Sequence, residues 1–220
     1  MKILGINLAE HGSICMLNDG QIEFYLEAER ITREKYDFQV HKIFDMVSKP
    51  DAIALSDCDY GIGRQGNEKP LYTSIAKAKI SRMYPDVPVH DFTNCHHLTH
   101  ASVGYYTSHF LEAVCVVVDG VGSDKEVESI YHVSHNEFLR VQKRLLEPES
   151  QGFGRLFELT AIEHGWDHRE AGKVMGLAAY GEGNSYEIQT LWETRLKLLV
   201  DDARKLTGCT NIVLSGGCML

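Results

Sequence analysis

The sequence predicts an α/β protein built from two lobes of the same element order. Three short strands open the chain and are followed by alternating helices and strands, and this succession restarts near residue 113. Asn18-Asp19-Gly20 is a strong hairpin signal between the second and third strands. The repetition lies in the order of elements and not in residue identity. We expect a first lobe at residues 1–111 and a second lobe at 112–220.

Local patterns predict the elements of the first lobe. Short apolar runs bounded by turn residues favour strands at 3–7, 13–17 and 21–26. A helix-like stretch runs from 29 to 47 and is stopped near Pro50. The rest of the lobe is predicted as a strand at 52–55, a glycine-rich polar loop at 57–69, a helix at 71–83, a strand at 87–89 and a helix at 96–110.

The second lobe repeats the pattern. Strands are predicted at 113–119, 127–134 and 138–145, the last two separated by the turn His135-Asn136-Glu137. Helical segments are predicted at 156–164, 173–179 and 186–206. A final strand at 211–215 runs into Ser215-Gly216-Gly217.

Composition limits the classes of function. The 220 residues include 44% apolar and 24% charged residues, which is ordinary for a globular protein. The formal net charge of −9 disfavours binding of a nucleic-acid backbone as the main activity. Six scattered cysteines without a C-x-x-C pair predict reduced thiols in a cytoplasmic protein. We find no long apolar run and no signal peptide, so we expect no membrane association.

Three histidines within five residues suggest a metal site. If residues 96–110 are helical, His96 and His100 stand one turn apart on one face, and Asp119 at the end of a buried strand offers a harder ligand. A zinc-protease motif would need Glu at the second position, where His97 stands instead. The alternative is a helix that carries three surface histidines.

The element order is that of the actin-like and hexokinase-like ATPases, a ribonuclease H-like architecture. In such folds a turn at the start of each lobe directs backbone N–H groups towards phosphate. The candidates here are the turns at 9–12 and 119–122, and Ser215-Gly216-Gly217 would let an adenosine lie against bare backbone. Each glycine taken singly also fits an ordinary turn.

Seven segments together resemble one family, the O-carbamoyltransferases of the nodulation-protein and tobramycin-carbamoylating type. They match the N-terminal part of its Kae1-like domain. The segments are Leu4-Gly5-Ile6-Asn7 with His11, residues 18–22, residues 29–35, His96-His97-Leu98-Thr99-His100-Ala101, Asp119-Gly120-Val121-Gly122, residues 172–181 beginning Gly172-Lys173-Val174-Met175-Gly176, and Leu214-Ser215-Gly216-Gly217.

The resemblance implies an actin/hexokinase-like fold and transfer of a carbamoyl group from carbamoyl-adenylate to a hydroxyl. In that family a separate YrdC-like domain makes the adenylate from carbamoyl phosphate and ATP, and the Kae1-like domain carries out the transfer beside an iron ion. The implied cofactors are therefore Fe²⁺, or a similar divalent metal, and ATP or carbamoyl-adenylate. The implied partners are a nucleotide and a small-molecule or sugar acceptor.

The resemblance also implies roles for single residues. His11 becomes the catalytic residue, and a neutral imidazole suits removal of the acceptor's hydroxyl proton. The implied metal ligands are His96, His100 and Asp119. The implied nucleotide contacts are Lys35, Asp119, Gly120, Gly172, Lys173, Gly176, Ser215, Gly216 and Gly217. For the glycines of the segment that begins at Gly172, a tight helix-packing contact remains the alternative.

This sequence also departs from the family pattern. We expect an incomplete second lobe and no YrdC-like domain, because the sequence stops at Leu220 where family members continue. A second polypeptide would then complete the enzyme. The alternatives are an inactive or regulatory fragment that binds metal or nucleotide, and a protein like the tRNA threonylcarbamoyl transferases, which the negative charge disfavours.

Overall fold

The computed structural model describes residues 1–9, 11–58, 69–147, 152–181 and 183–219. The chain forms two compact units, Met1–His96 and His97–Leu220, and each is described by itself. The division falls inside the first turn of a helix, so His96 is described with the helix that it begins. The predicted lobe boundary at 111 and 112 stays a prediction. Most of the predicted loop at 57–69, and Glu10 in the predicted turn at 9–12, lie outside the described residues.

The first unit contains a five-stranded mixed sheet in the order β3-β2-β1-β4-β5. The hairpin between β2 and β3 forms where Asn18-Asp19-Gly20 predicted it, because Asp19 and Gly20 both take the positive φ that a tight hairpin turn needs. β1 pairs antiparallel with β2 and parallel with β4. The strands are β1 (Lys2–Asn7), β2 (Ser13–Asn18), β3 (Gln21–Glu27), β4 (Ala52–Ser56) and β5 (Val89–Asp91).

The core of the first unit forms against this sheet. Two helices, α1 (Ala28–Thr32) and α2 (Lys69–Met83), and a 3₁₀ segment (Val40–Met46) accompany it. Leu4, Ile6, Ile14 and Met16 of the first two strands belong to the buried cluster, as does Phe44 of the 3₁₀ segment. The period-2 burial of these strands places alternate side chains in the core and fixes the register.

Two predicted elements of the first unit are wrong in extent. The predicted helix at 29–47 ends at Thr32, because Arg33 and then Tyr36 adopt left-handed backbone conformations that no continuous helix tolerates. The chain becomes helical again only in the 3₁₀ segment. The predicted strand at 87–89 lies two residues later, as β5, where its residues pair with β4.

The second unit contains a four-stranded sheet in the order β8-β7-β6-β9. β6 pairs antiparallel with β7 and parallel with β9, so it is an inner strand. Its six residues from Ala113 to Val118 are all buried, which explains the continuous apolar run in the sequence. The strands are β6 (Glu112–Val118), β7 (Glu126–Ser134), β8 (Glu137–Leu145) and β9 (Ile212–Ser215).

The two faces of β6 contribute to two separate cores. Cys115 and Val117 pack in a cluster with Ala101 and Tyr105 of one helix, whereas Val116 and Val118 belong to a cluster with the other helices. The alternation follows from the period of two along a strand.

The helices of this unit are α3 (His96–Ser108), α4 (Phe153–Glu163), α5 (Ala171–Ala178) and α6 (Gly183–Thr207). Within the described residues, no helix combines the length and apolarity needed to cross a membrane.

A buried carboxylate links β7, β8 and α6. Glu128 lies almost fully inside the second unit and receives hydrogen bonds from Arg144 and Arg195, the latter at 2.7 Å between Nη2 and Oε2. Burial alone would raise the pKa of Glu128, but the two guanidinium partners outweigh it and lower the pKa below its ordinary value. The carboxylate therefore stays charged and holds α6 against the sheet.

Removal of one partner should weaken this unit. In Arg195→Leu, Glu128 loses a charge-assisted hydrogen bond while it stays buried, so we expect the free energy of unfolding to fall by about 1–3 kcal/mol. Chemical denaturation at pH 7 measures it. Arg204→Leu, which changes an exposed arginine of the same helix, should change stability by less than about 0.5 kcal/mol.

The stabilisation by the Glu128 carboxylate should depend on pH, which the same variants can test. Because the folded-state pKa of Glu128 lies below its ordinary value, the stabilisation is complete near neutral pH and disappears as the pH falls through the lowered pKa. The stability difference between wild type and Arg195→Leu should therefore shrink in acid. A difference that stays constant with pH would contradict this role of Glu128.

Candidate metal centre and active-site residues

His96 and His100 lie on one face of α3, four residues apart and both half-buried. His97, the residue between them, points elsewhere: it is fully buried and its Nδ1 lies 2.8 Å from Ser129 Oγ. The predicted helix thus separates a pair of accessible imidazoles from a third that belongs to the core. This arrangement differs from the alternative of three surface histidines.

Asp119 follows the last residue of β6 and lies beside the histidine pair. Its side chain is mostly buried, and Oδ2 lies 3.5 Å from His100 Nε2. His96, His100 and Asp119 each offer a ligand atom within 4.8 Å of the other two. The three residues that the sequence singled out as metal ligands are therefore close together.

The glycine turn after β9 positions Asp119 and His100 through hydrogen bonds. The Gly217 N–H donates to Asp119 Oδ1 at 3.1 Å, and Ser215 Oγ donates to the His100 carbonyl oxygen at 2.9 Å. A Cβ at Gly217 would lie 2.7 Å from Asp119 Oδ1. Gly216 has φ +101°, and a Cβ there would lie 2.2 Å from the Val118 carbonyl oxygen. The turn therefore requires glycine, and it fixes one carboxylate oxygen while the other faces His100.

The orientation of His96 agrees with a metal ligand. Its Nδ1 lies 3.3 Å from the carbonyl oxygen of Asp57, which can only accept, so this hydrogen bond places the proton on Nδ1. Nε2 then carries the lone pair. A backbone carbonyl in this position is a common partner of metal-binding histidines, since it fixes both tautomer and ring orientation.

The chemical types of the three ligands decide which metal fits. Two imidazoles and one carboxylate, with positions left for other ligands, form the set that suits non-haem iron(II). Cys218, near the same turn, lies outside this set of ligand atoms; burial raises its pKa to about 12, an effect that the charges of Asp119 and Glu158 strengthen. The residues present fit a hard or borderline divalent ion.

His11 lies in the first unit, in the turn between β1 and β2. Its backbone is left-handed, with φ 57°, a conformation in which histidine is less rare than most residues. Asn7 Nδ2 donates to the His11 carbonyl oxygen at 3.2 Å. Gly12 fits closely against Phe38, since a Cβ at Gly12 would lie 3.0 Å from the Phe38 backbone. The turn is thus fixed on both sides of His11, whose side chain is half exposed.

Two residues that the sequence did not single out connect His11 with Lys35. The Tyr36 ring meets the His11 ring edge-on at 5.1 Å, and Lys35 Nζ lies 4.7 Å from the centre of the Tyr36 ring. Glu29 Oε2 accepts from the Tyr36 N–H at 3.0 Å and lies 3.7 Å from His11 Nδ1. His11 and Lys35 therefore share one cluster with Glu29 and Tyr36. The available sequence signal was that Glu29 lies in the same charged segment as Lys35.

The glycines of α5 face open space. Gly172, Lys173 and Gly176 are exposed, and a Cβ at either glycine would meet no described atom within 4 Å. Tight packing within the described residues therefore does not explain these glycines. Lys173 is held on this face by Glu170, at 2.8 Å, and lies over the Trp166 ring at 5.3 Å.

In the turn after β6, two backbone N–H groups already donate hydrogen bonds within the second unit. The N–H of Asp119 donates to Val127 and that of Gly122 donates to Glu126, so these two groups are used within the turn. Gly120 is a packing site as well, because a Cβ at Gly154 would lie 2.4 Å from its Cα. α4 therefore begins directly against the Gly120 backbone.

Comparison with known families decides the assignment. Residues 72–210 match the family described as carbamoyltransferase N-terminus. The chain belongs to the carbamoyltransferase family. Carbamoyl transfer is the general activity that this membership supports, and the matched range contains His96, His100, Asp119 and all of α5.

Solved structures show the fold of this member of the carbamoyltransferase family. A ROK family protein from Streptococcus pneumoniae, in complex with sucrose, is similar with a TM-score of 0.55 and 17% identity over 99% of this chain and 81% of its own. A ROK hexokinase from Thermus thermophilus has a TM-score of 0.55 and 12% identity over 99% and 82%. The Lmo2764 protein of Listeria monocytogenes has a TM-score of 0.56 and 12% identity over 100% and 84%. The predicted actin/hexokinase-like α/β fold is confirmed.

The predicted metal site of this member of the carbamoyltransferase family can be tested directly. We expect the chain to retain Fe²⁺ after anaerobic loading and desalting, and His96→Ala/His100→Ala to lose most of it, because one carboxylate alone binds the ion weakly. Elemental analysis measures the metal per chain. His90→Ala, which removes an exposed histidine of β5, should retain the wild-type amount. Equal iron in all three proteins would show that these histidines are not ligands.

Proposed function

We propose that this chain provides the acceptor-transfer half of an O-carbamoyltransferase. It moves a carbamoyl group from carbamoyl-adenylate to a hydroxyl of a small-molecule or sugar acceptor, and a further domain or chain supplies the adenylate. The observation that carries the proposal is the close set of His96, His100 and Asp119, supported by a glycine turn, in a chain of the carbamoyltransferase family.

The three proposed metal ligands suit a role in carbamoyl transfer. A divalent ion held by these residues would supply Lewis acidity, which favours charge on an oxygen of the donor. The residues of the chain hold that position: the Gly217 N–H fixes Asp119, and Ser215 fixes the backbone of His100. Their pre-organisation supports catalysis because little rearrangement is needed when charge develops.

His11 is proposed as the general base. A neutral imidazole can take the proton from the acceptor hydroxyl as its oxygen attacks the carbamoyl carbon and AMP leaves. Glu29, mostly buried and 3.7 Å from His11 Nδ1, would stabilise the imidazolium that forms. Glu29 is fixed in turn by the Tyr36 N–H, so its position does not depend on His11 alone. Lys35 provides a cation for the phosphate of the donor.

The open face of α5 is proposed to contact the nucleotide. A glycine inside a helix costs about 0.5–1 kcal/mol relative to alanine, and packing against the part of the chain that the structure describes does not explain Gly172 or Gly176. Close approach of a ligand to the backbone is a physical reason for such glycines, and the adjacent Lys173 supplies a positive charge. We propose no nucleic-acid or membrane partner, in keeping with the net charge of −9.

Synthetic carbamoyl-adenylate makes the transfer step testable without the segment that makes it. The Fe²⁺-loaded chain is mixed with this donor and a panel of hydroxyl acceptors, and AMP release and acceptor carbamoylation are followed together. We expect acceptor-dependent AMP release. Binding of the donor without any turnover would favour a nucleotide-binding fragment over an enzyme.

Variants of the first unit should separate transfer from binding. His11→Ala removes the base and should lower acceptor carbamoylation by about 10²–10⁴-fold while donor affinity changes little. Glu29→Gln should lower the same rate less, since the negative charge beside the imidazole is lost. His90→Ala serves as the control and should behave as wild type. Near-normal transfer by His11→Ala would place the general base elsewhere.

The α5 glycines give opposite expectations for stability and activity. Gly176→Ala should raise the free energy of unfolding by about 0.5–1 kcal/mol, because its backbone is helical and the added methyl meets open space. The same methyl should weaken donor binding if the nucleotide lies against this backbone. Denaturation and donor titration measure the two effects. A stabilised variant with unchanged donor affinity would remove α5 from the proposed nucleotide site.

A further inference from the structure

A second cluster of potential ligands lies at the start of β6. Glu112, His132 and Cys209 come from β6, from β7 and from the segment after α6, and each offers a ligand atom within 4.8 Å of the other two. His132 Nε2 lies 2.8 Å from Glu112 Oε1. Neither the carbamoyltransferase motifs nor the proposed transfer chemistry uses these residues.

We propose that Glu112, His132 and Cys209 form a binding site for a zinc-like divalent cation. The set combines a carboxylate oxygen, an imidazole nitrogen and a thiolate sulfur, which are the three ligand types that zinc takes in proteins. Glu112 begins β6 and Asp119 follows its end, so a rise of about 3.3 Å per residue places the two metal-ligand sets roughly 20 Å apart. The two sites are therefore separate.

Hydrogen bonds fix the backbone that carries the ligands. Gly208, with φ +70°, ends α6, and its N–H donates to the Arg204 carbonyl oxygen at 2.8 Å. The N–H of Cys209 donates to Thr207 Oγ1 at 3.2 Å. Asn211 ties this segment to β6 twice, since its Nδ2 donates to the Glu112 carbonyl oxygen at 2.9 Å and its own carbonyl accepts from the Val114 N–H at 2.8 Å.

The ligand side chains need only small rotations to close around an ion. Zinc–ligand bonds of about 2.0–2.3 Å in a tetrahedral arrangement separate the ligand atoms by roughly 3.3–3.8 Å. The present separations, up to 4.8 Å, exceed this range by about 1–1.5 Å at most. Because a carboxylate only accepts, the 2.8 Å contact places the imidazole proton of His132 on Nε2. The cation would take its place at Nε2, and the proton would move to Nδ1 of the same ring.

Binding is balanced by proton release. The Cys209 thiol, which now donates weakly to the Asn211 carbonyl oxygen at 3.8 Å, loses its proton to solvent as the sulfur–metal bond forms. The side chains of His132 and Glu112 are 25% and 54% exposed, so a water molecule can reach the fourth position. The site would join β6, β7 and the end of α6 by one ion.

A thiolate ligand distinguishes this site from the first. The set of His96, His100 and Asp119 contains no cysteine, so Co²⁺ bound there gives no thiolate-to-cobalt charge transfer. Titration of the reduced chain with Co²⁺ should produce this near-ultraviolet absorption with the intensity of one thiolate ligand, and Zn²⁺ should abolish it. The His96→Ala/His100→Ala variant should keep the absorption, so the result does not depend on the proposed transfer function.

Matched variants identify the sulfur. Cys209→Ser should lose the charge-transfer absorption, whereas Cys15→Ser, which changes another partly buried cysteine in the first unit, should keep it. Glu112→Gln preserves shape and removes a charge, so it should keep the absorption and weaken Co²⁺ binding by at least tenfold. Absence of the absorption in the wild-type chain, or its persistence in Cys209→Ser, would overturn the proposal.

Discussion

The arrangement of the second unit depends on the position of one carboxylate, that of Asp119. This side chain follows the inner strand β6, and its two oxygens face different groups: Oδ1 accepts from the Gly217 N–H and Oδ2 faces His100. The carboxyl ends of the parallel strands β6 and β9 meet at this edge of the sheet, so strand pairing brings the glycine turn to the aspartate. The histidines arrive separately, on a helix whose Ala101 and Tyr105 pack with the odd-numbered residues of β6.

Close contacts between elements restrict several positions around this arrangement to glycine. Gly104 of α3 allows the helix to approach β9, since a Cβ there would lie 2.6 Å from Val213 Cγ1. Gly154 allows α4 to begin against Gly120, and Gly216 allows the turn after β9 to touch the end of β6. In each case a neighbouring element occupies the space that a Cβ of the glycine would need. The result is a set of close contacts between elements distant in sequence.

The sequence predicted most elements because hydrophobic period and turn chemistry are local. The buried run of β6, the Asn18-Asp19-Gly20 turn and the one-turn spacing of His96 and His100 all carry their information in neighbouring residues. The helix predicted over 29–47 failed for the opposite reason. The left-handed conformations at Arg33 and Tyr36 are accompanied by a contact from Glu29 to the Tyr36 N–H seven residues away, which a helical period does not reveal. The place of Glu29 beside His11 also depends on pairing between strands, so the sequence alone did not show it.

The ion triad of Glu128, Arg144 and Arg195 restricts how this family member can change through mutation. One carboxylate serves two guanidinium groups on two elements, so an apolar replacement at any one position leaves a charge without its full set of partners. Simultaneous replacement of all three by apolar residues of similar volume would be nearly neutral or even stabilising. The three positions are therefore expected to covary among relatives, either all charged or all apolar, and sequences with only part of the triad should be rare.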